Sequence, residues 1–137
     1  MSDDAHPTLP DVVRAVSTVT SDLGTAVIVS VAGELDLLEA PHLMTLLDAE
    51  LARTDLALLV IDIAEVEFLG SSGLGVLANI ATRAIPPPGG ARRGPEVRLV
   101  APPTHRPVVN PWQMMNLQEI VPLYPDVATA LRAAPES

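Results

Sequence analysis

Between Ala57 and Ile63 the chain runs apolar without alternation, broken only at Asp62. A strand with one face in water alternates; one that does not is buried on both faces, as at the centre of a sheet. The flanking segments supply what such a sheet needs. Val12 to Val19 and Ala26 to Ala32 are Val-rich runs around the turn Ser21-Asp22-Leu23-Gly24, the pattern of an opening hairpin, and Gly33-Glu34-Leu35-Asp36 ends it. Pro41 stands at a helix start, and Leu43, Leu46, Leu47, Glu50 and Leu51 follow at helical spacing.

After the apolar strand comes the turn Gly70-Ser71-Ser72-Gly73, then a helical stripe of Leu74, Leu77, Ala78 and Ala81. That helix should stop near Ile85, because Pro86-Pro87-Pro88-Gly89-Gly90 cannot continue it. Residues Pro86 to Pro95 read as a surface loop within one domain. Val97 to Ala101 is the next strand. Asn110-Pro111 reads as an N-cap and first helical residue leading into Trp112 to Leu117. Glu119 to Pro122 reads as a short edge strand, and Asp126 as the cap of a last helix, Val127 to Ala134. The expected fold is α/β: a mixed sheet of about four to five strands with an opening hairpin, and helices packed against it. Residues 1–10 are expected as a loose tail and 11–134 as the domain.

Composition narrows the function. The 137 residues suit one domain, and 48% are apolar but only 2% aromatic, so Val, Leu, Ile and Ala must build the core. The formal charge of −9 disfavours nucleic acid and anionic membrane surfaces. No cysteine is present, which removes disulfides, thiolate metal sites and Cys nucleophiles. The acidic start, Met1-Ser2-Asp3-Asp4, lacks the apolar stretch of a secretory signal, and the longest apolar run, Leu56 to Ile61, is too short for a bilayer. A cytoplasmic regulatory domain is expected.

The Gly70–Gly73 turn is the strongest site candidate. It joins a buried strand to a helix N-terminus, where unpaired N–H groups and a partial positive charge accommodate phosphate. Two serines between glycines suit a kinase acceptor, and one of them also suits a plain N-cap. Both can hold, with Ser72 the cap and Ser71 the acceptor. Gly73-Leu74-Gly75-Val76-Leu77-Ala78 matches a dinucleotide fingerprint, but its strand is not the first and too little chain follows for that fold. A nucleophile elbow fails, since Ser72 has Leu74 and Ser71 has Leu69 where glycine is required. His6, His42 and His105 are scattered and form no i, i+4 metal pair or triad. Glu34 and Asp36 point to one side of an extended chain and read as a solvated strand end or part of a recognition surface beside Ser71. Met114 and Met115, with Trp112, read as core and helix face.

The series Gly33-Glu34-Leu35-Asp36, Val60-Ile61-Asp62-Ile63, Val66-Glu67-Phe68-Leu69-Gly70-Ser71-Ser72-Gly73-Leu74-Gly75, Val97-Arg98-Leu99-Val100 and Asn116 to Tyr124 resembles the anti-sigma factor antagonist family, which has the STAS fold. The resemblance spans roughly residues 10 to 134. It implies a bacterial partner switch without enzymatic activity, cofactor or metal. The antagonist binds an anti-sigma factor that is also a serine kinase and so frees a sigma factor. Phosphorylation of the antagonist ends the complex, and a phosphatase resets it. The implied acceptor is Ser71, and the implied partner surface is Glu34, Asp36, Gly70, Ser71, Ser72, Gly73 and Leu74. A non-phosphorylated interaction or scaffold module is the alternative. The sequence departs from the family in three places. Gly70 stands where the family often has Asp, loop 86–95 is longer and richer in Pro and Gly, and Pro111 falls in the third family helix, which is expected to start late or kink.

Overall fold

The computed structural model describes residues 9–83, 89 and 90, and 94–132. Five strands form one sheet in chain order: β1 (Val13–Ser21), β2 (Gly24–Leu35), β3 (Leu58–Leu69), β4 (Glu96–Val100) and β5 (Leu123–Tyr124). The first pair is antiparallel and the other three are parallel. This is the expected mixed α/β sheet with an opening hairpin.

The helices are α1 (Ala40–Leu51), α2 (Ser71–Arg83), α3 (Arg106–Met114) and α4 (Val127–Ala130). The alternation along the strands divides the core in two. Val27, Val29, Val31, Leu59, Ile61, Ile63, Val97 and Leu99 meet Leu43 and Leu47 of α1, Val76, Leu77 and Ile80 of α2, and Val108 and Trp112 of α3. Ala26, Leu58, Val60 and Val100 point the other way, toward Ala130 of α4. β3 is thus covered on both faces over Leu58–Ile61, all fully buried, which is why it reads apolar without alternation.

The strands by the site run further than their apolar runs. β2 continues to Leu35 and β3 to Leu69. Past Asp62 the second face is open, so Glu65, Glu67 and Phe68 stand exposed while Ile63, Val66 and Leu69 stay buried. Gly33, at φ 85°, lies beside a register shift in the β2–β3 ladder. A bulge there suits glycine, which adopts positive φ without a steric penalty. The shift sets Leu35 opposite Leu69, so the residues that leave the two strands, Asp36 and Gly70, emerge side by side.

The second half of the chain differs from its sequence pattern. α3 begins at Arg106 and carries Pro111 inside it, rather than starting at Asn110-Pro111. Pro107 takes the first turn, where a missing N–H costs no helical bond, and the helix buries Val108, Val109 and Trp112. The Trp112 indole N–H donates to the Val121 carbonyl at 2.9 Å, which anchors the helix from its far end. Met114 and Met115 are 81% and 61% exposed, not core. Residues 117–119 form a 3-10 turn, and the edge strand is Leu123–Tyr124 instead of Glu119 to Pro122. α4 is a single turn ending at Ala130, shorter than Val127 to Ala134; residues 133 and 134 lie outside the described part. The proposed tail up to residue 8, the helix end near Ile85 and most of the loop Pro86 to Pro95 also fall outside it.

α2 buries Gly73, Val76, Leu77, Ile80 and Ala81, a face turned by one residue from the Leu74, Leu77, Ala78, Ala81 stripe. Leu74 and Ala78 are half-buried.

Candidate functional site

The site forms at the carboxyl ends of the parallel strands β2 and β3, where open α/β sheets place their working residues. The Gly70 N–H donates to the Leu35 carbonyl at 3.0 Å, and the Gly70 carbonyl accepts the first helical bond from the Leu74 N–H at 2.8 Å. Gly70 therefore holds the N-cap position of α2. Ser71 and Ser72 are the first two helical residues, so Ser72 lies inside the turn and does not cap it. Ser71 is exposed and Ser72 half-exposed. The amides of a helix's first turn have no partner within the helix.

Both glycines are buried, Gly73 against backbone and Gly70 against side chains. A Cβ at Gly73 would overlap the Leu35 carbonyl oxygen and side chain, so glycine lets α2 sit on the end of β2. A Cβ at Gly70 would overlap the Asp36 carboxylate and come within 3.2 Å of the Phe68 ring. The Asp36 carboxylate thus occupies the side-chain space of the residue before Ser71. Glu34 is exposed on the last turn of β2, on the same side as Asp36.

The sequence pattern missed the apolar part of this surface. Leu37 and Leu38 are 74% and 76% exposed, and Phe68 is 50% exposed. An open depression of about 590 Å³ is lined by Glu34, Asp36, Leu37, Leu38, Glu39 and Pro41. Exposed Leu37 and Leu38 thus share this depression with the carboxylates of Glu34 and Asp36, and Asp36 and the Phe68 ring reach Gly70, the residue before Ser71.

The remaining candidates have structural places. The His105 Nε2–H donates to the Val66 carbonyl at 2.7 Å and ties the start of α3 to β3. His42 lies on α1, 3.7 Å from Glu39. Among the described residues no group of three or more His, Asp or Glu side chains could hold a metal ion. No described helix is long and apolar enough to cross a membrane.

The STAS domain model matches residues 16–130, which takes in the sheet from within β1 onward, the serine turn and α4. The chain belongs to the STAS domain family. The crystal structure of an anti-sigma factor antagonist from Mycobacterium paratuberculosis is similar to this STAS domain at 32% identity and a TM-score of 0.65, over 85% of this chain and 92% of that one. Homology to the anti-sigma factor antagonists follows from that identity and coverage. No match is found among the curated proteins. STAS domains act as non-catalytic regulatory modules.

Proposed function

We propose that this STAS domain is an anti-sigma factor antagonist whose binding surface is switched at Ser71. The unmodified chain binds an anti-sigma factor with serine kinase activity in the cytoplasm and so frees a sigma factor. The kinase then transfers the γ-phosphoryl group of ATP to Ser71. The serine oxygen forms the new bond to phosphorus, the bond to the ADP oxygen breaks, and the hydroxyl proton passes to a base of the kinase. A phosphatase restores the hydroxyl.

The observation that carries this reading is the placement of Ser71. It is exposed at the first position of a helix, directly after Gly70, against which the Asp36 carboxylate and the Phe68 ring lie. Phosphorylation adds about −1.5 to −2 charges to this surface. On a chain of formal charge −9, a loss of about 3–4 kcal/mol weakens binding several-hundredfold. The helix N-terminus accommodates the phosphate, so the fold survives the modification. Glu34, Asp36, Ser71, Ser72 and Leu74 form the contact surface, while Gly70 and Gly73 shape it from beneath.

Ser71→Ala should keep kinase binding and lose labelling, and Ser71→Asp should lose binding. The alternative, a scaffold that is never phosphorylated, predicts an unchanged intact mass after incubation with ATP and the bound kinase.

A further inference from the structure

An open groove of about 720 Å³ runs between the segment that enters β1 and α1. Leu9, Pro10, Leu46 and Ala49 give it an apolar lining, and Asp11 and Glu39 give it charge. A concave, largely apolar site of this volume with a few polar groups is the form that small ligands fit. Glu50 also borders it, but Arg53 holds that carboxylate at 3.1 Å. Among the described residues neither Asp11 nor Glu39 has a lysine or arginine partner.

Glu39 is the residue of this groove that the fold leaves unemployed. It holds the N-cap position of α1, yet its side chain makes no cap bond. Its Oε1 is buried without a hydrogen-bond partner. The His42 Nδ1 stands 3.7 Å from that oxygen, too far for a hydrogen bond, on a side chain 62% exposed and so free to turn aside. His42 borders the groove, so Oε1 lies on that side. A carboxylate oxygen taken out of water is stabilised by a charged donor, and none is present in the fold.

The sign of the charge selects the ligand. Two free carboxylates on a chain of formal charge −9 repel anions. The chain's own residues 1–8 contain Asp3 and Asp4 and no lysine or arginine, the wrong charge for this groove. We infer that the groove is a binding site for a small organic cation, an ammonium group on a hydrocarbon body. The ammonium donates to Glu39 in the field of Asp11, and the body lies on Leu46 and Ala49. The site shares no residue with the Ser71 turn, and it stands whether or not Ser71 is phosphorylated.

The test titrates phenylbutylammonium into the nitrogen-labelled chain and follows the backbone amides by NMR. Shifts should concentrate at Thr45, Leu46 and Ala49. Phenylbutanol, of similar shape without the charge, should bind about tenfold more weakly, and phenylbutyrate should not bind. Glu39→Gln should weaken the amine about tenfold. Ala49→Trp, at an exposed helical position, should fill the groove and abolish binding, whereas His42→Ala should keep it. An absence of shifts at millimolar amine would overturn the inference, as would equal binding of the alcohol or an unchanged affinity in Glu39→Gln. Methylammonium as strong as phenylbutylammonium would mean attraction of any cation to an acidic chain, and would overturn it too. Ala49→Trp should leave capture of the anti-sigma factor intact; loss of capture would assign the groove to a basic side chain of that partner and sink the small-molecule reading. A kinase that never labels Ser71 leaves all of these measurements untouched.

Discussion

At Gly73 the α2 backbone passes the Leu35 carbonyl so closely that a methyl group has no space. Two residues on, nothing lies within 4 Å of the corresponding position at Gly75, which is exposed in the same helix. One substitution should therefore act in opposite directions. Gly73→Ala should destabilise the domain by about 1–3 kcal/mol through overpacking against backbone. Gly75→Ala should stabilise it by up to about 1 kcal/mol through helix propensity. Urea unfolding midpoints read both; a loss at Gly75 or a gain at Gly73 would contradict the packing described. At Asp126 the sign of a pH effect follows from a single cap. Its carboxylate accepts from the Thr129 N–H at 2.7 Å, and that bond, followed by the Thr129 side chain, holds its pKa below the ordinary carboxylate value. A depressed pKa gives stability that is present above the carboxylate range and lost as pH falls through it. The protection of the Thr129 amide, the slowing of its exchange relative to that of an unstructured chain at the same pH, should therefore fall on acidification, and Asp126→Asn should flatten that dependence.

At the scale of elements, the sequence pattern found every element whose burial is repetitive and misplaced those held by single contacts. The opening hairpin, the doubly buried β3 and the Pro-started α1 announce themselves by pattern and turn residues. α3 did not, because Pro107 and Pro111 both suit a helix start, and only the burial of Trp112 against the sheet and its bond to Val121 decide between them. The cap and start of α4, Asp126 and Val127, were legible; what closes it at Ala130 was hidden for a similar reason. Arg98 reads as a polar residue of a strand, yet it is buried, with Nη1 donating to the carbonyls of Ala130 at 3.0 Å and Arg132 at 2.7 Å. Its Nε donates to Glu96 at 2.7 Å, and its guanidinium lies 5.0 Å from the Tyr124 ring centre. α4 is thus closed by a side chain from β4. Arg98→Ala should cost roughly 3 kcal/mol, since buried acceptors lose a charged donor. Arg98→Lys should recover little of it, because an ammonium cannot match the guanidinium fork. Thermal unfolding of both variants decides; full recovery by lysine would mean that charge alone matters there.

Across the whole molecule, the site depends on register. The Gly70–Gly73 turn was legible as a strand-to-helix junction, and the pairing that brings Asp36 onto Gly70 was not. It depends on a bulge at Gly33 and on two parallel strands of matching length, which no local pattern encodes. The exposed Leu37, Leu38 and Phe68 were equally hidden, since apolar residues at element ends read as core until the layers are placed. The resulting surface sits at one end of the sheet, away from α4 and Arg98, so a change at Ser71 should leave global stability within about 0.5 kcal/mol while altering what the domain binds. The most direct test is to take the kinase that the unmodified chain captures, add ATP, and map the phosphate. One phosphoryl group on Ser71, absent from Ser71→Ala although that variant still binds, is the predicted result; a phosphate on another residue, or normal labelling of Ser71→Ala, would contradict it.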